Sequence, residues 1–223
     1  KVYAGLQLWS MRQFDTVVGL SENIKDKLRK KQCFILMEGG IDEELYNAFS
    51  YRPHKKGAPI IFMYAGLLNH VTGVNLLLDA MKQVKRQDIR LWISGKGELE
   101  EAVRAAAKED DRICYLGHLP YEEYIQKLEE ADVLVNPRNM SLPENRNNFP
   151  SKIMDYLAAG KMIVSTRFAG WERFEENIVF CENGEDCLEV CLEMVMDQRK
   201  VFQKNRERAK QFEWGIQLKR GLN

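Results

Sequence analysis

Short apolar runs that alternate with longer stretches carrying one apolar face restrict this chain to very few folds. The runs are residues 60–65 (IIFMYA), 89–94 (IRLWIS), 113–117 (ICYLG), 132–136 (DVLVN), 161–166 (KMIVST) and 177–181 (NIVFC). Each is nearly continuously apolar and rich in Ile, Val, Leu or aromatic residues, as a strand covered on both faces must be. Between them, residues 73–87 repeat apolar side chains at Val74, Leu77, Leu78 and Met81, and residues 98–108, 121–131 and 152–159 show similar helical faces. This alternation predicts an α/β fold, a Rossmann-like doubly wound parallel sheet with helices on both sides. Ligands of such sheets lie at the carboxyl ends of the strands, where the strand order reverses. The loops expected to carry function are therefore 66–72, 95–97, 118–120, 137–150 and 167–172.

The flanks read differently. Residues 1–58 hold only two strand-like runs, 16–20 and 34–37, and then the turn-rich YRPHKKG of 51–57. Residues 185–212 read as two charged helices, and FEWGIQLKRGLN follows from Phe212. The first 45 residues are too short for a domain and too patterned for a tail.

Composition narrows the function. The 223 residues carry 33 Lys+Arg against 33 Asp+Glu, so no broad basic field exists to hold nucleic acid or an anionic surface. With 45% hydrophobic residues the chain is expected to fold rather than stay disordered. No apolar run approaches the roughly 18–20 residues of a membrane span, and no signal peptide is expected. The cysteines Cys33, Cys114, Cys181, Cys187 and Cys191 form no C-x-x-C pair, and His54, His70 and His118 are scattered. Zinc-ligand spacing is thus absent, Cys187 and Cys191 read as packing residues of one helix, and a reducing cytoplasm is expected. The basic clusters at 25–31 and 199–210 include acids, and they read as solvated helix faces or as a peripheral contact with anionic lipid.

Three stretches carry candidate chemistry. In NNFPSKIMDYLAAGKMIVST (147–166), Pro150 suits the first turn of a helix, and the free N–H groups of Ser151 and Lys152 make an anion site. Asp155 lies one turn deeper on the same face, where a carboxylate accepts from two vicinal ribose hydroxyls. The competing explanation is a helix cap with a Lys152–Asp155 surface pair. In AGLLNHVTGVNLLLDA (65–80), Gly66 ends a strand and lets backbone approach a ligand. Ser94-Gly95-Lys96-Gly97 is a G-x-G at a strand end, with neither the full dinucleotide fingerprint nor a Walker loop, and a plain strand–helix turn also explains it.

Taken in order, YAGLLN…TGVNLLLDAM, LWISGKGELEEAV, ICYLGHLPYEEY, ADVLVNPR and FPSKIMDYLAAGKMIVST resemble the carboxyl-terminal, donor-binding domain of family 4 retaining glycosyltransferases of the GT-B fold, in their F-P-S-K variant. GGIDEELYN (39–47) resembles that family's interdomain junction, and Phe212-Glu213-Trp214 its crossing segment near the final helix. The resemblance implies that residues 1–45 are a remnant of an amino-terminal domain with the junction, 46–210 the donor-binding domain, and 211–223 the crossing segment. It places the family's E-x7-E pair on Asn147 and Asp155, an amide beside the transferred sugar and a shortened carboxylate at the ribose. The family's two diphosphate cations fall on Leu67 and Thr72, which are uncharged, so Lys152 beside Ser151, or Lys96, is expected to replace them. Gly66 allows close approach, and Gly117 and His118 lie near the base.

The resemblance implies a hexosyl transfer from a nucleoside-diphosphate sugar to a carbohydrate or lipid-linked acceptor, in glycan or polysaccharide synthesis, with no metal or other cofactor. The acceptor site belongs to an amino-terminal domain. This chain alone is expected to bind donor without turnover. The rival reading is a non-catalytic nucleotide-binding or interaction module, and binding without transfer in a restored two-domain protein separates the two.

Overall fold

A computed structural model of the chain describes residues 2–37, 39–145, 148–183, 185–188 and 198–222. In chain order the elements are α1 (Val2–Met11), β1 (Thr16–Gly19), β2 (Cys33–Leu36), α2 (Glu43–Asn47), β3 (Ile60–Ala65), α3 (Val74–Gln83), β4 (Ile89–Ser94), α4 (Glu100–Glu109), β5 (Ile113–Gly117), α5 (Tyr121–Glu130), β6 (Val133–Asn136), α6 (Lys152–Ala159), β7 (Met162–Thr166), β8 (Ile178–Cys181), α7 (Gln198–Lys210) and α8 (Trp214–Leu222).

Strands β3 to β8 form one six-stranded sheet in the order β5-β4-β3-β6-β7-β8, every described pair parallel. From β3 the chain winds outward through β4 and β5, then returns to add β6, β7 and β8 on the other side. The order therefore reverses between β3 and β6, which pair at Phe62↔Val133 and Met63↔Leu134.

The doubly covered sheet follows from strand periodicity. Phe62, Tyr64, Leu91, Ile93, Val133, Val135 and Val164 share a core with Leu77 and Met81 of α3 and Val103 of α4. Their neighbours Met63, Leu134, Ile163 and Ile178 pack on the other face, with Leu128 of α5 and Ile153 and Leu157 of α6. Residues i and i+1 of a strand point to opposite faces, so runs that are apolar at every position are what a sheet with two cores demands.

Three sequence-derived strands match to the residue, and others shift at their ends for local reasons. Residue 132 does not extend β6, because the Asp132 carboxylate accepts from the Ile61 N–H (2.9 Å) and from Gln198 Nε2 (3.2 Å), and its other contact is His54 Nδ1 at 3.1 Å. Residue 161 does not extend β7; its carbonyl accepts from Asn205 Nδ2 of α7 (2.7 Å). Of the two charged helices expected over 185–212, residues Glu185–Leu188 form a 3-10 turn and Gln198–Lys210 a helix. Residues 189–197, including Cys191, lie outside the described residues; Cys187 is buried in the 3-10 turn rather than in a helix.

The two strand-like runs of residues 1–58 form β1 and β2, but they are not all that folds there. Helices α1 and α2 and a 3-10 turn at Glu22–Lys27 also form there. Helix α1 lacks an apolar stripe, so periodicity does not announce it, while α2 starts where the Asp42 carboxylate accepts from Leu45 N–H (2.6 Å). Strands β1 and β2 pair in parallel, Thr16↔Cys33 to Gly19↔Leu36, as a separate two-stranded sheet. Around them Leu6, Trp9, Phe14, Val18 and Leu20 are exposed. Among the described residues no helix is long and apolar enough to cross a membrane.

The two junction-like segments meet each other. Ile41, fully buried, bridges Glu213 in parallel: the Ile41 N–H donates to the Phe212 carbonyl (2.8 Å), and the Trp214 N–H donates to the Ile41 carbonyl (3.2 Å). The Trp214 ring lies directly on Gly40, within 2.2 Å of where a Cβ would stand, so only glycine admits it there.

Candidate functional site

At the point where strand order reverses, a cleft of about 940 Å³ opens at the carboxyl ends of β3, β4, β5 and β6. Its floor is built by loops that continue the sheet's hydrogen bonding past the strands. Gly66 N–H donates to Ser94 O (3.0 Å), Leu68 N–H to Lys96 O (3.0 Å), and Gly95 N–H to Gly117 O (2.8 Å). This backbone ladder leaves no room for side chains between the loops. A Cβ on Gly95 would stand 1.8 Å from the Gly66 carbonyl oxygen, at a φ of +141°.

Of the residues singled out in the sequence, Gly66, Lys96, His118, Ser151, Lys152 and Asp155 all line this one cleft. Lys96 and His118 are exposed at its rim. Gly117 does not line it; its backbone, at φ +71°, turns the chain so that His118 does. Asn147 lies outside the described residues, and Glu144 sits exposed in the 3-10 turn Pro143–Asn145.

Helix α6 presents its start to the cleft. Ser151 already has helical dihedrals (φ −53°, ψ −32°) and makes no side-chain cap bond, while Ile153 and Met154 N–H donate back to the Pro150 and Ser151 carbonyls (3.0 Å each). The start of the helix, at Ser151 and Lys152, is left facing the cleft, where anions are favoured.

The surface pair of Lys152 with Asp155 does not form, because each side chain is engaged elsewhere. The Lys152 ammonium is turned onto the Tyr64 ring, 4.2 Å from its centroid, and would lie 2.8 Å from a Cβ on Gly66. The glycine thus makes room for Lys152 itself. Burial, and then the positive charge of Arg138, push the Lys152 pKa down to about 7 against the opposing pull of Asp155. Tyr64, buried beneath, is pushed up to about 12 by loss of solvent and stays neutral.

The Asp155 carboxylate accepts from the Tyr124 hydroxyl (2.9 Å). Burial raises the Asp155 pKa, while the Tyr124 bond and Lys152 restrain it. Replacing Tyr124 by Phe is therefore expected to raise it further, so a ligand that needs ionised Asp155 should lose affinity at a higher pH on the acid side. A titration of binding against pH in both proteins checks this.

Tyr124 and Arg138, which also line the cleft, carry no signal of it in the sequence. Tyr124 falls within the amphipathic stretch 121–131. Arg138 was present in the motif ADVLVNPR, but in a long polar loop it carries no signal of burial. Opposite it, Leu67 is exposed, and the Thr72 hydroxyl donates to the Leu67 carbonyl (2.6 Å), which spends it on holding the loop. Among the described residues no group of three or more His, Cys, Asp or Glu is placed to hold a metal ion.

An all-parallel, doubly wound sheet with its cleft at the strand-order reversal defines a Rossmann-like domain. The family described as Glycosyl transferases group 1 matches residues 58–197, more than half of the chain, and the chain belongs to that family. It is 26% identical over 169 residues to WcaL of Escherichia coli K12, whose name assigns it to colanic acid biosynthesis as a glycosyltransferase; the match covers 71% of this chain and 41% of WcaL. Among solved structures it resembles sucrose-phosphate synthase of Thermosynechococcus elongatus, with a TM-score of 0.77 at 17% identity over 99% of this chain and 60% of that one. It also resembles Anabaena HepE in complex with UDP and glucose, with a TM-score of 0.74 at 15% identity over 98% of this chain and 65% of that one. The chain thus spans less than two thirds of the length of each of these proteins.

Proposed function

We propose that this chain is the donor-binding half of a retaining sugar transferase, which moves a hexose from a nucleoside-diphosphate sugar to an acceptor hydroxyl in glycan or polysaccharide synthesis. The observation that carries the reading is the convergence of Ser151, Lys152 and Asp155 on one cleft at the strand-order reversal, in a member of the glycosyl transferases group 1 family. The name of WcaL and the UDP and glucose of the HepE complex support the same class of reaction and donor.

In this reading Asp155 accepts from the ribose hydroxyls, the start of α6 with Ser151 and Lys152 faces the diphosphate, Lys96 flanks it from the rim, the Gly117–His118 loop lies near the base, and Asn147 orients the sugar. Breaking the anomeric bond builds negative charge on the leaving diphosphate. Cations and N–H groups already aimed at that position lower the barrier without having to reorganise. Residues 46–210 form the donor domain. Residues 1–45 and 211–223 belong to the junction with an amino-terminal domain that supplies acceptor contacts, at the cytoplasmic face of a membrane where a lipid-linked acceptor is used. Two parallel strands with an exposed apolar surround, and the pairing of Ile41 with Glu213, support that division. The chain alone binds donor and does not turn it over.

Calorimetric titration with UDP, GDP and ADP tests the reading. One nucleotide is expected to bind, and Asp155→Ala to weaken it about tenfold or more, the usual cost of losing a hydrogen bond to a charged group. Absence of binding to all three, or an unchanged affinity in the variant, overturns the donor site. Sugar transfer by this chain alone overturns the division of labour. Binding without transfer, once an amino-terminal half is joined to it, marks a nucleotide-binding module instead.

A further inference from the structure

We infer that Arg138, held in place by Asn145, is the second cation of the diphosphate site and takes the post left uncharged at Leu67 and Thr72. This rests on the donor-binding reading above and adds a residue to it.

Arg138 stands in the loop after β6 and lines the cleft together with Lys152 and Thr72. Its orientation is built by a buried amide. The Asn145 oxygen accepts from Arg138 Nη1 (2.8 Å), and its nitrogen donates to the Val71 carbonyl (2.7 Å) and the Asn139 carbonyl (2.8 Å). Asn145 is fully buried, and these bonds tie the loop after β6 to the loop after β3 while holding one end of the guanidinium. An amide positions an arginine without cancelling its charge, which a carboxylate would do.

The rest of the guanidinium is left for something else. Arg138 Nε is buried and has no hydrogen-bond partner among the described residues, and none of the described carboxylates forms an ion pair with Arg138. An unpaired donor in a desolvated site costs free energy, and two facing cations cost more. Arg138 opposes the Lys152 charge, and burial lowers its own basicity. A group that satisfies both cations at once must be compact, multiply anionic and rich in acceptor oxygens. A diphosphate has this chemistry, and the planar fork of an arginine matches its oxygens in pairs.

The test compares the nucleoside diphosphate that the chain binds with the corresponding nucleoside, on the wild type, Arg138→Gln and Arg138→Lys. Calorimetry reads the first ligand and ligand-observed NMR the second. Arg138→Gln is expected to weaken the diphosphate about 10- to 100-fold, the range for a lost charge-assisted pair of hydrogen bonds, and to leave the nucleoside unchanged. Arg138→Lys should fall between, since it keeps the charge and loses the fork. A structural role would move both ligands alike, and equal losses, or no loss of the diphosphate, overturn the inference while the donor site stands. If the wild type binds no nucleoside diphosphate, the donor site and this inference fail together. Should Arg138→Gln fail to fold, Arg138→Lys decides: diphosphate affinity equal to wild type overturns the role of the fork.

Discussion

At about pH 9 the proposed donor site is expected to bind a nucleoside diphosphate about tenfold or more weakly than at about pH 7.5, with the loss traceable to Lys152. A lysine whose pKa is about 7 in the free cleft is largely neutral above that value. A diphosphate placed against it favours the ammonium, so binding takes up a proton, and affinity falls by up to about tenfold per pH unit above pH 7 until the pKa of the bound state is reached. The terminal phosphate is already ionised over this range, with its second pKa at about 6, and Tyr64, pushed up to about 12, does not titrate. Stability of the free chain should move the other way. The unfolded lysine keeps its proton to about pH 10.4, so between about pH 7 and 10 the unfolded chain holds more protons, and this residue's contribution to stability rises with pH. Lys152→Met should abolish both slopes, weaken the diphosphate at pH 7, and raise the melting temperature of the free protein there. Calorimetry in buffers of different ionisation enthalpy, together with melting curves at several pH values, reads all of these. An affinity independent of pH from 7 to 9 would refute the role given to Lys152.

Gly95→Ala is expected to cost about 3 kcal/mol or more of stability, whereas Gly117→Ala should cost only about 1–2 kcal/mol, although both glycines have positive φ. At Gly117 a Cβ meets nothing within 4 Å, so the substitution bears only the backbone penalty. At Gly95 it would meet the Gly66 carbonyl oxygen at 1.8 Å, and that is backbone, which cannot rotate away. The loop ladder must part, taking with it the Gly66 and Leu68 hydrogen bonds to Ser94 and Lys96. Denaturant unfolding of the two variants gives the ranking, and equal losses would show that backbone strain alone is at work. Nucleotide affinity should follow it, since Gly66 leaves the space into which Lys152 reaches.

The sheet was legible because its strands are covered on both faces. A run such as IIFMYA has no polar position to blur its ends, and β3, β4 and β5 fall on their predicted limits. The errors fall where a residue is used outside its own strand: Asp132 spends its carboxylate on Ile61, and the Lys161 carbonyl accepts from α7. Helix α1 was invisible for the opposite reason, having no polar face against which an apolar one stands out. In the cleft, Ser151, Lys152 and Asp155 could be read together because one helix fixes their spacing. Arg138 and Tyr124 could not, since their meeting with Lys152 and Asp155 depends on which loops the sheet order brings side by side. The alternative of a surface Lys152–Asp155 pair failed on the same account. Helical spacing permits the pair, but Tyr64 and Tyr124, from other elements, capture the two side chains.

The contact of Ile41 with Glu213 has a bearing on how the chain is made. The partners are separated by most of the sequence, so closing them costs an ordering entropy that grows with the logarithm of the intervening length, and contacts of such high separation slow folding. During synthesis, the sheet from β3 to β8 can assemble as soon as its own residues have left the ribosome. Ile41 must wait with its apolar side chain and two backbone polar groups uncovered until residues 212–214 emerge. The Ile41–Glu213 contact is therefore expected to be the last part of this fold to set.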